Sequence, residues 1–397
     1  MQVKLHEPSF GEEEIMAATD QMRTTNVTMG KKVREFEDMC ASRFGSEYAV
    51  MCNSGSSANL LAFAALCNPE SPYENLKPGD EVLVPALSWA TSVWPIIQHG
   101  LVPVFVDCDP ETFNFDYQKL DAAVTEKTKA IMAVHVYGNP CDMDILTWKS
   151  QKLQKLFLIE DSCESMGATF NNKDVGTFGN IGTMSLYYSH HITTFEGGLC
   201  FSKIPGVDNL LRVLRAHGWS RESLLHDKYV AQNPDIDPRF IFVNTGYNLR
   251  PTEVQAVIGM KQLPKLDGFV KTRRFVWAEY RRRLDKYSEF FSFQKEQENG
   301  VASWFGFCVV LKADTPFTLK EITTFLQKNG VETRPIIAGN MARHPALKMY
   351  EHRIAGTLEN CDNIMQRGFA IGCHHAVTEE QVEYVESMFD QFMSQYK

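Results

Sequence analysis

The 397-residue sequence has no C-x-x-C or C-x-C pair among its ten cysteines, at 40, 52, 67, 108, 141, 163, 200, 308, 361 and 373. Zinc and iron–sulfur sites show close ligand pairs, so neither is expected. Most of these cysteines sit beside apolar residues, which reads as buried, reduced thiols. No run reaches the ~18 apolar residues of a membrane span. The N-terminus, MQVKLHEPSF, lacks the apolar core of an export signal, so a cytoplasmic protein is expected. Positive charge is not in excess: Lys+Arg 40 against Asp+Glu 49 leaves −9. The run Arg281–Arg283 reads as a solvated helix face, and binding to nucleic acid or an anionic membrane is not expected. Repeats and low-complexity tracts are absent.

What is present is ordinary globular material, 44% hydrophobic and 22% charged, enough for a large core in two or three domains. Residues 11–44 read as helix with a break at Thr28-Met29-Gly30. Apolar strands read at Tyr48–Cys52, Glu81–Pro85, Val102–Val106, Ala130–Val136 and Leu156–Ile159, and helices at Ala58–Cys67, Thr91–Gln98 and Asp144–Gln154. This alternation predicts a mainly parallel α/β sheet covered on both faces. Helices follow at Thr252–Leu263 and Gly268–Tyr287. Beyond them come strands at Trp304–Leu311 and Val331–Ile337 and helices at Leu319–Asn329 and Glu379–Met393. The expected division is a large domain over 1–255, linking helices over 256–287 and a smaller α+β domain over 288–397.

Chemistry in such sheets gathers at the carboxyl ends of strands. Ser56, Trp89, Asp107, His135 and Asp161 fall at or just past such ends. Exposed amides and the hydroxyls of Ser56 and Ser57 at a helix start can hold a phosphate, yet the same residues serve as simple caps. Asp161 followed by Glu164 suits an anion beside a cationic ring nitrogen, and equally suits capping. Arg334, in Glu332-Thr333-Arg334-Pro335, suits bidentate anion binding. Two adjacent histidines, His374 and His375, read as a surface pair, and no metal site is expected.

Five segments occur in order: Ser54-Gly55-Ser56-Ser57, Ser88-Trp89-Ala90-Thr91, Glu160-Asp161-x-x-Glu164-x-x-Gly167-Ala168, the stretch from Thr183 to Gly198, and Gly246-Tyr247-Asn248-Leu249-Arg250-Pro251-Thr252-Glu253. Together, over nearly the whole chain, they resemble the DegT/DnrJ/EryC1/StrS sugar aminotransferase family of pyridoxal-phosphate (PLP) proteins. The resemblance implies a fold type I, aspartate aminotransferase-like large domain. It implies that Asp161 pairs with the pyridinium nitrogen, that Trp89 stacks on the ring, and that Ser56, Ser57 and Ser185 hold the phosphate. Glu164 would sit near the ring hydroxyl. Asn248 would reach the phosphate from a neighbouring subunit, making a homodimer with shared active sites.

One position departs from the family. Ordinary members have Lys where this sequence has His190; that amine anchors the cofactor covalently and moves protons. Imidazole is not a primary amine, and the flanking Lys173 and Lys203 lie outside the motif. The cofactor is therefore expected to be held non-covalently, with His190 as a proton acceptor. This departure resembles the family's 3-dehydratase branch. It implies removal of the C3 hydroxyl from a nucleotide-linked 4-keto-6-deoxyhexose, a GDP sugar being favoured, in deoxysugar and O-antigen biosynthesis. Glutamate would regenerate pyridoxamine phosphate (PMP), and ammonia would be released. A second His-bearing branch, the CDP-sugar 3-dehydrases, carries an iron–sulfur cluster and a Cys-x-Cys pair, which is missing here. His217 is expected either to assist proton transfer or touch the sugar, or equally to be a surface or packing histidine. Arg334 and Arg221 are expected to bind substrate, Arg334 through the glutamate carboxylate or the diphosphate. The competing readings are an aminotransferase with an unusual base and a non-catalytic ligand-binding homologue.

Overall fold

The apolar runs read above form an eight-stranded sheet in a computed structural model that describes residues 1–152 and 155–396. From edge to edge its strands are Tyr48–Cys52, Gly198–Ser202, Ile181–Ser185, Phe157–Asp161, Thr128–Val134, Glu81–Pro85, Val102–Val106 and Arg353–Ile354. Neighbours pair in parallel except around Gly198–Ser202, which runs against the rest. Valine, isoleucine and phenylalanine fill these strands, and nearly all their residues are buried, as a sheet covered on both faces requires. The helix Gly55–Cys67 is apolar on every side and lies within the core.

The helix expected over Asp144–Gln154 runs Met143–Lys152, and its expected last two residues lie outside the described residues. The smaller sheet is antiparallel, in the order Phe291–Phe293, Gly306–Leu311, Gly368–Gly372, Thr333–Arg334. The strand expected over Val331–Ile337 is cut to Thr333–Arg334. Pro335 has no N–H to give a ladder, and Ile337 holds a left-handed backbone, φ 48°, that ends extended pairing. The strand expected from Trp304 starts at Gly306. His374, read as half of a surface pair, is buried, and its Nε2–H donates to the Lys4 carbonyl at 3.1 Å. Two excursions cut across a division at 255 and 288. Val3 bridges Val331 and packs in the smaller core, and Arg353–Ile354 returns to edge the large sheet.

A buried ionic knot sets the strand that leads into the site. Glu37, on helix Lys31–Phe44, accepts the Met51 N–H at 2.8 Å and is clasped by Arg212 and Arg215 from helix Pro205–Arg215. Arg215 also donates to the Met51 carbonyl at 2.6 Å, and Arg212 to that of Ala49 at 3.1 Å. Burial alone would raise the Glu37 carboxyl; the two guanidiniums hold it below its ordinary value. Glu37→Ala leaves Arg212 with only Asp208 and Arg215 with only the longer contact to Glu222, and the loss is expected to approach about 3–5 kcal/mol, that of a broken buried pair. A urea titration should show the midpoint fall accordingly; an unchanged midpoint would contradict this role for the knot.

Candidate active site

A cavity of about 330 Å³ opens where the parallel strands end. The turns after Tyr48–Cys52, Glu81–Pro85, Thr128–Val134, Phe157–Asp161 and Ile181–Ser185 supply one side. Phe305, Arg334 and Ile337 from the smaller unit supply the other. Six expected residues line it besides His190: Ser56, Trp89, Asp161, Glu164, Ser185 and Arg334.

Asp161 ends its strand and is 6% exposed. Its Oδ2 accepts from Asn59 Nδ2 at 2.8 Å and from Ser92 Oγ at 2.7 Å, and its Oδ1 accepts from the Cys163 N–H at 3.1 Å. Asn59 is itself fixed by the Thr183 hydroxyl, at 2.6 Å. The neighbouring Glu160, on the alternate face of the strand, is wholly occupied. It accepts the N–H groups of Gly176, Phe178 and Gly179 at 2.8, 2.7 and 2.6 Å. The Cys141 N–H donates to His135 Nδ1, so His135 carries its proton on Nε2 and donates it to Glu160 at 3.3 Å. Burial would raise Glu160, but His135 and the amides hold it below its ordinary value. Two adjacent carboxylates thus split between a sealed structural group and one turned to the cavity.

At the other end, Ser54 Oγ caps helix Gly55–Cys67 by accepting the Ser57 N–H at 3.1 Å. A Cβ on Gly55 would lie 2.6 Å from the Ser185 Cβ, so only glycine lets the helix start approach that strand. The result is a helix N-terminus beside the hydroxyls of Ser56 and Ser185, a cradle for a phosphate. Trp89 leaves its indole 49% exposed at the cavity. A phosphate cradle, a carboxylate and a flat apolar wall are the donor set that PLP requires, so the residues present fit that cofactor.

His190 Nδ1 lies 2.7 Å from the Cys163 carbonyl oxygen. A carbonyl can only accept, so Nδ1 bears the proton and Nε2 keeps its lone pair. The ring packs on Phe305, centroids 5.0 Å apart, and on Tyr187 at 5.8 Å. Burial pushes the imidazole down to about 4, so it is neutral across physiological pH. His191 turns away, giving its Nε2 proton to the Ser303 carbonyl at 2.6 Å. Burial pushes the Glu164 carboxyl up to about 7, against the opposing pull of Arg334.

Other expected residues lie elsewhere. Ser57 is half-buried, with its hydroxyl 2.9 Å from Ser54 Oγ. Asn248 and Arg221 line a separate cavity of about 360 Å³, near Trp219. His217, at φ 63°, packs its ring on Trp219. Asp107 is a structural tie, accepting from Lys119 Nζ at 2.8 Å and the Cys361 N–H at 2.9 Å. Sequence reasoning missed Asn59, Ser92, Phe305 and Ile337. Ser92 lies directly after the Ser-Trp-Ala-Thr motif, so proximity could have flagged it; the others carry no local signal.

Comparison with known proteins identifies the family. A sequence model of the DegT/DnrJ/EryC1/StrS aminotransferase family matches residues 8–390. A GDP-4-keto-6-deoxy-D-mannose 3-dehydratase of Yersinia pseudotuberculosis is 41% identical over 383 residues, covering 94% of this chain and 95% of that one. The crystal structure of the E. coli GDP-4-keto-6-deoxy-D-mannose-3-dehydratase with bound hydrated PLP superposes with a TM-score of 0.92. It is 37% identical and covers 98% of this chain and 99% of that one. A further structure of such a dehydratase, with a trapped PLP-glutamate geminal diamine, gives a TM-score of 0.89 at 36% identity over 97% and 99% of the two chains.

In the apoprotein, an NMR titration of the His190 ring should give a midpoint near 4 and the Nδ1–H tautomer. A midpoint near the ordinary ~6.5 of histidine would contradict the enclosure described here.

Proposed function

The chain belongs to the DegT/DnrJ/EryC1/StrS aminotransferase family, and we infer that within it the chain is a PLP-dependent 3-dehydratase of GDP-4-keto-6-deoxy-D-mannose. The observation that carries this reading is His190: a neutral imidazole, oriented by a backbone carbonyl, lines the cavity where transaminases of the family need an amine. When bound, the cofactor in its PMP form supplies an amine for the 4-keto carbon and an electron-withdrawing ring through which the C3 hydroxyl can depart. Overall, the sugar would lose its C3 oxygen as water, with ammonia released and glutamate converted to 2-oxoglutarate.

The residues divide this work. Ser56 and Ser185, with the amides at the start of helix Gly55–Cys67, hold the phosphate, and Ser57 supports the same turn. Asp161 faces the ring nitrogen, with Asn59, Ser92 and the Cys163 amide fixing its carboxylate. Trp89 covers one ring face. Glu164, whose carboxyl burial pushes up to about 7, would stand by the ring hydroxyl. His190 takes a proton on Nε2 and hands it toward the departing hydroxyl, a role suited to a base whose other nitrogen is pinned. Arg334 meets an anionic group of a substrate.

We also read the enzyme as a homodimer with shared sites. Asn248 and Arg221 line the separate cavity off this chain's own site, and His217 packs on Trp219, which stacks on the exposed Phe242. That placement suits groups that complete a second copy's site. Among the described residues no helix is long and apolar enough to cross a membrane. Ten free thiols support a cytoplasmic setting.

Incubation with GDP-4-keto-6-deoxymannose, PLP and glutamate should yield a 3-deoxy sugar, ammonia and 2-oxoglutarate. A 4-amino sugar as sole product would refute the reading. His190→Asn should lower turnover by about 10²–10⁴-fold, the usual share of a positioned base. For the dimer, mixing inactive His190→Asn and Asn248→Ala proteins after mild dissociation should restore activity. If each site is built from one chain, the mixture stays inactive.

A further inference from the structure

Behind the wall formed by Phe305 lies a second cavity of about 30 Å³, which shares Ser189, Phe305 and Arg334 with the first. A water needs ~10–15 Å³ on this measure, so the space admits two or three small polar atoms and not a diphosphate. One wall is Arg273, on helix Leu266–Leu284 and 2% exposed. Its Nη1 donates to the carbonyls of Cys373, Trp304 and Phe305 at 2.8, 3.1 and 3.4 Å. Its Nε has no partner, and no carboxylate pairs with it among the described residues. Arg334, on the shared wall, also forms no ion pair or side-chain hydrogen bond among the described residues.

Tyr137 completes the set. It is 1% exposed, and its hydroxyl is approached by the Ile337 backbone N–H but has no close side-chain partner among the described residues. Its backbone is held at φ 56°, a conformation that bulky side chains resist. Close neighbours enforce it: a Cβ on Gly138 would lie 2.1 Å from the Ser303 oxygen, and one on Gly306 would lie 2.6 Å from the Tyr137 ring. Two guanidiniums and a phenol therefore line one small space; Glu164, whose carboxyl burial pushes up, acts on Arg334, and no carboxylate pairs with Arg273 among the described residues. A buried cation without an anion is expensive, and an apolar side chain would pack there at less expense.

We propose that this cavity receives the distal carboxylate of a dicarboxylic amino donor whose amine end lies beside His190. A planar two-oxygen head suits the guanidinium forks and fills the available room. The inference rests on the dehydratase reading, since only the donor half of that reaction needs such a group. It assigns Tyr137 and Arg273, which no sequence motif marks, to donor selection.

Arg273→Met removes the support of three carbonyls and risks misfolding, so the test uses Tyr137→Phe and Arg334→Gln. Isothermal titration of the PLP-loaded protein with glutarate, which has no amine and cannot react, reads binding alone. Glutarate should bind at least tenfold more tightly than butyrate, its one-carboxylate analogue. Each substitution should weaken glutarate about tenfold or more, the usual effect of removing one hydrogen bond to a charged group. Glutarate binding no tighter than butyrate, or untouched by both substitutions, would overturn the proposal and leave Arg273 a strut for its carbonyls. Failure of the dehydratase reading would show separately, as no dehydration by the unsubstituted protein supplied directly with PMP.

Discussion

The backbone of one residue, Cys163, orients the two groups on which the chemistry depends. The Cys163 N–H donates to Asp161 Oδ1, and the Cys163 carbonyl accepts the Nδ1 proton of His190. The first contact helps fix the carboxylate that faces the cofactor. The second decides which nitrogen of the imidazole is free. Backbone groups cannot rotate away as side chains do, so both are set by the strand end at Asp161 and the turn that follows it. Preorganisation of this kind lets a neutral ring serve as a base without first being oriented by substrate.

The surrounding fold keeps that turn in place by sealing polar groups that do no chemistry. Glu160 is saturated by three amides and His135, Asp107 ties Val102–Val106 to the segment at 360–361, and Glu37 anchors the strand before the phosphate cradle. These interactions lie within the core and tolerate little change. Around the cavity the balance reverses. Ile337 and Tyr137 sit in left-handed conformations, Trp89 exposes its indole, and Arg334 acts on Glu164 without closing a salt bridge among the described residues. Strain and unspent polarity at the cavity, set within a frame of satisfied groups, are the pattern of a binding site.

Much of this was legible in the sequence for local reasons. Strands such as Glu81–Pro85 and Val102–Val106 are short apolar runs between turn residues, and they appear with the bounds expected. The order of the Ser-Gly-Ser-Ser, Asp161 and His190 segments pointed to one cavity, and the chain brings them together. The limits were also physical. Asn59 reaches Asp161 across 102 positions, and Arg273 reaches Cys373 across 100. No periodicity encodes such contacts. The strand expected over Val331–Ile337 stopped early because Pro335 cannot donate to a ladder and Ile337 turns into a strained loop at the cavity. The buried His374 shows the converse, a polar pair that composition places outside and a single carbonyl draws in.

Everything turns on an imidazole that cannot tether the coenzyme. The direct measurement is the intact mass of the PLP-loaded protein after borohydride reduction and denaturation. The account predicts the unmodified polypeptide mass, with the cofactor released to solution. A covalent increment of one reduced cofactor per chain would contradict it, because some lysine would then hold the ring where His190 is said to act.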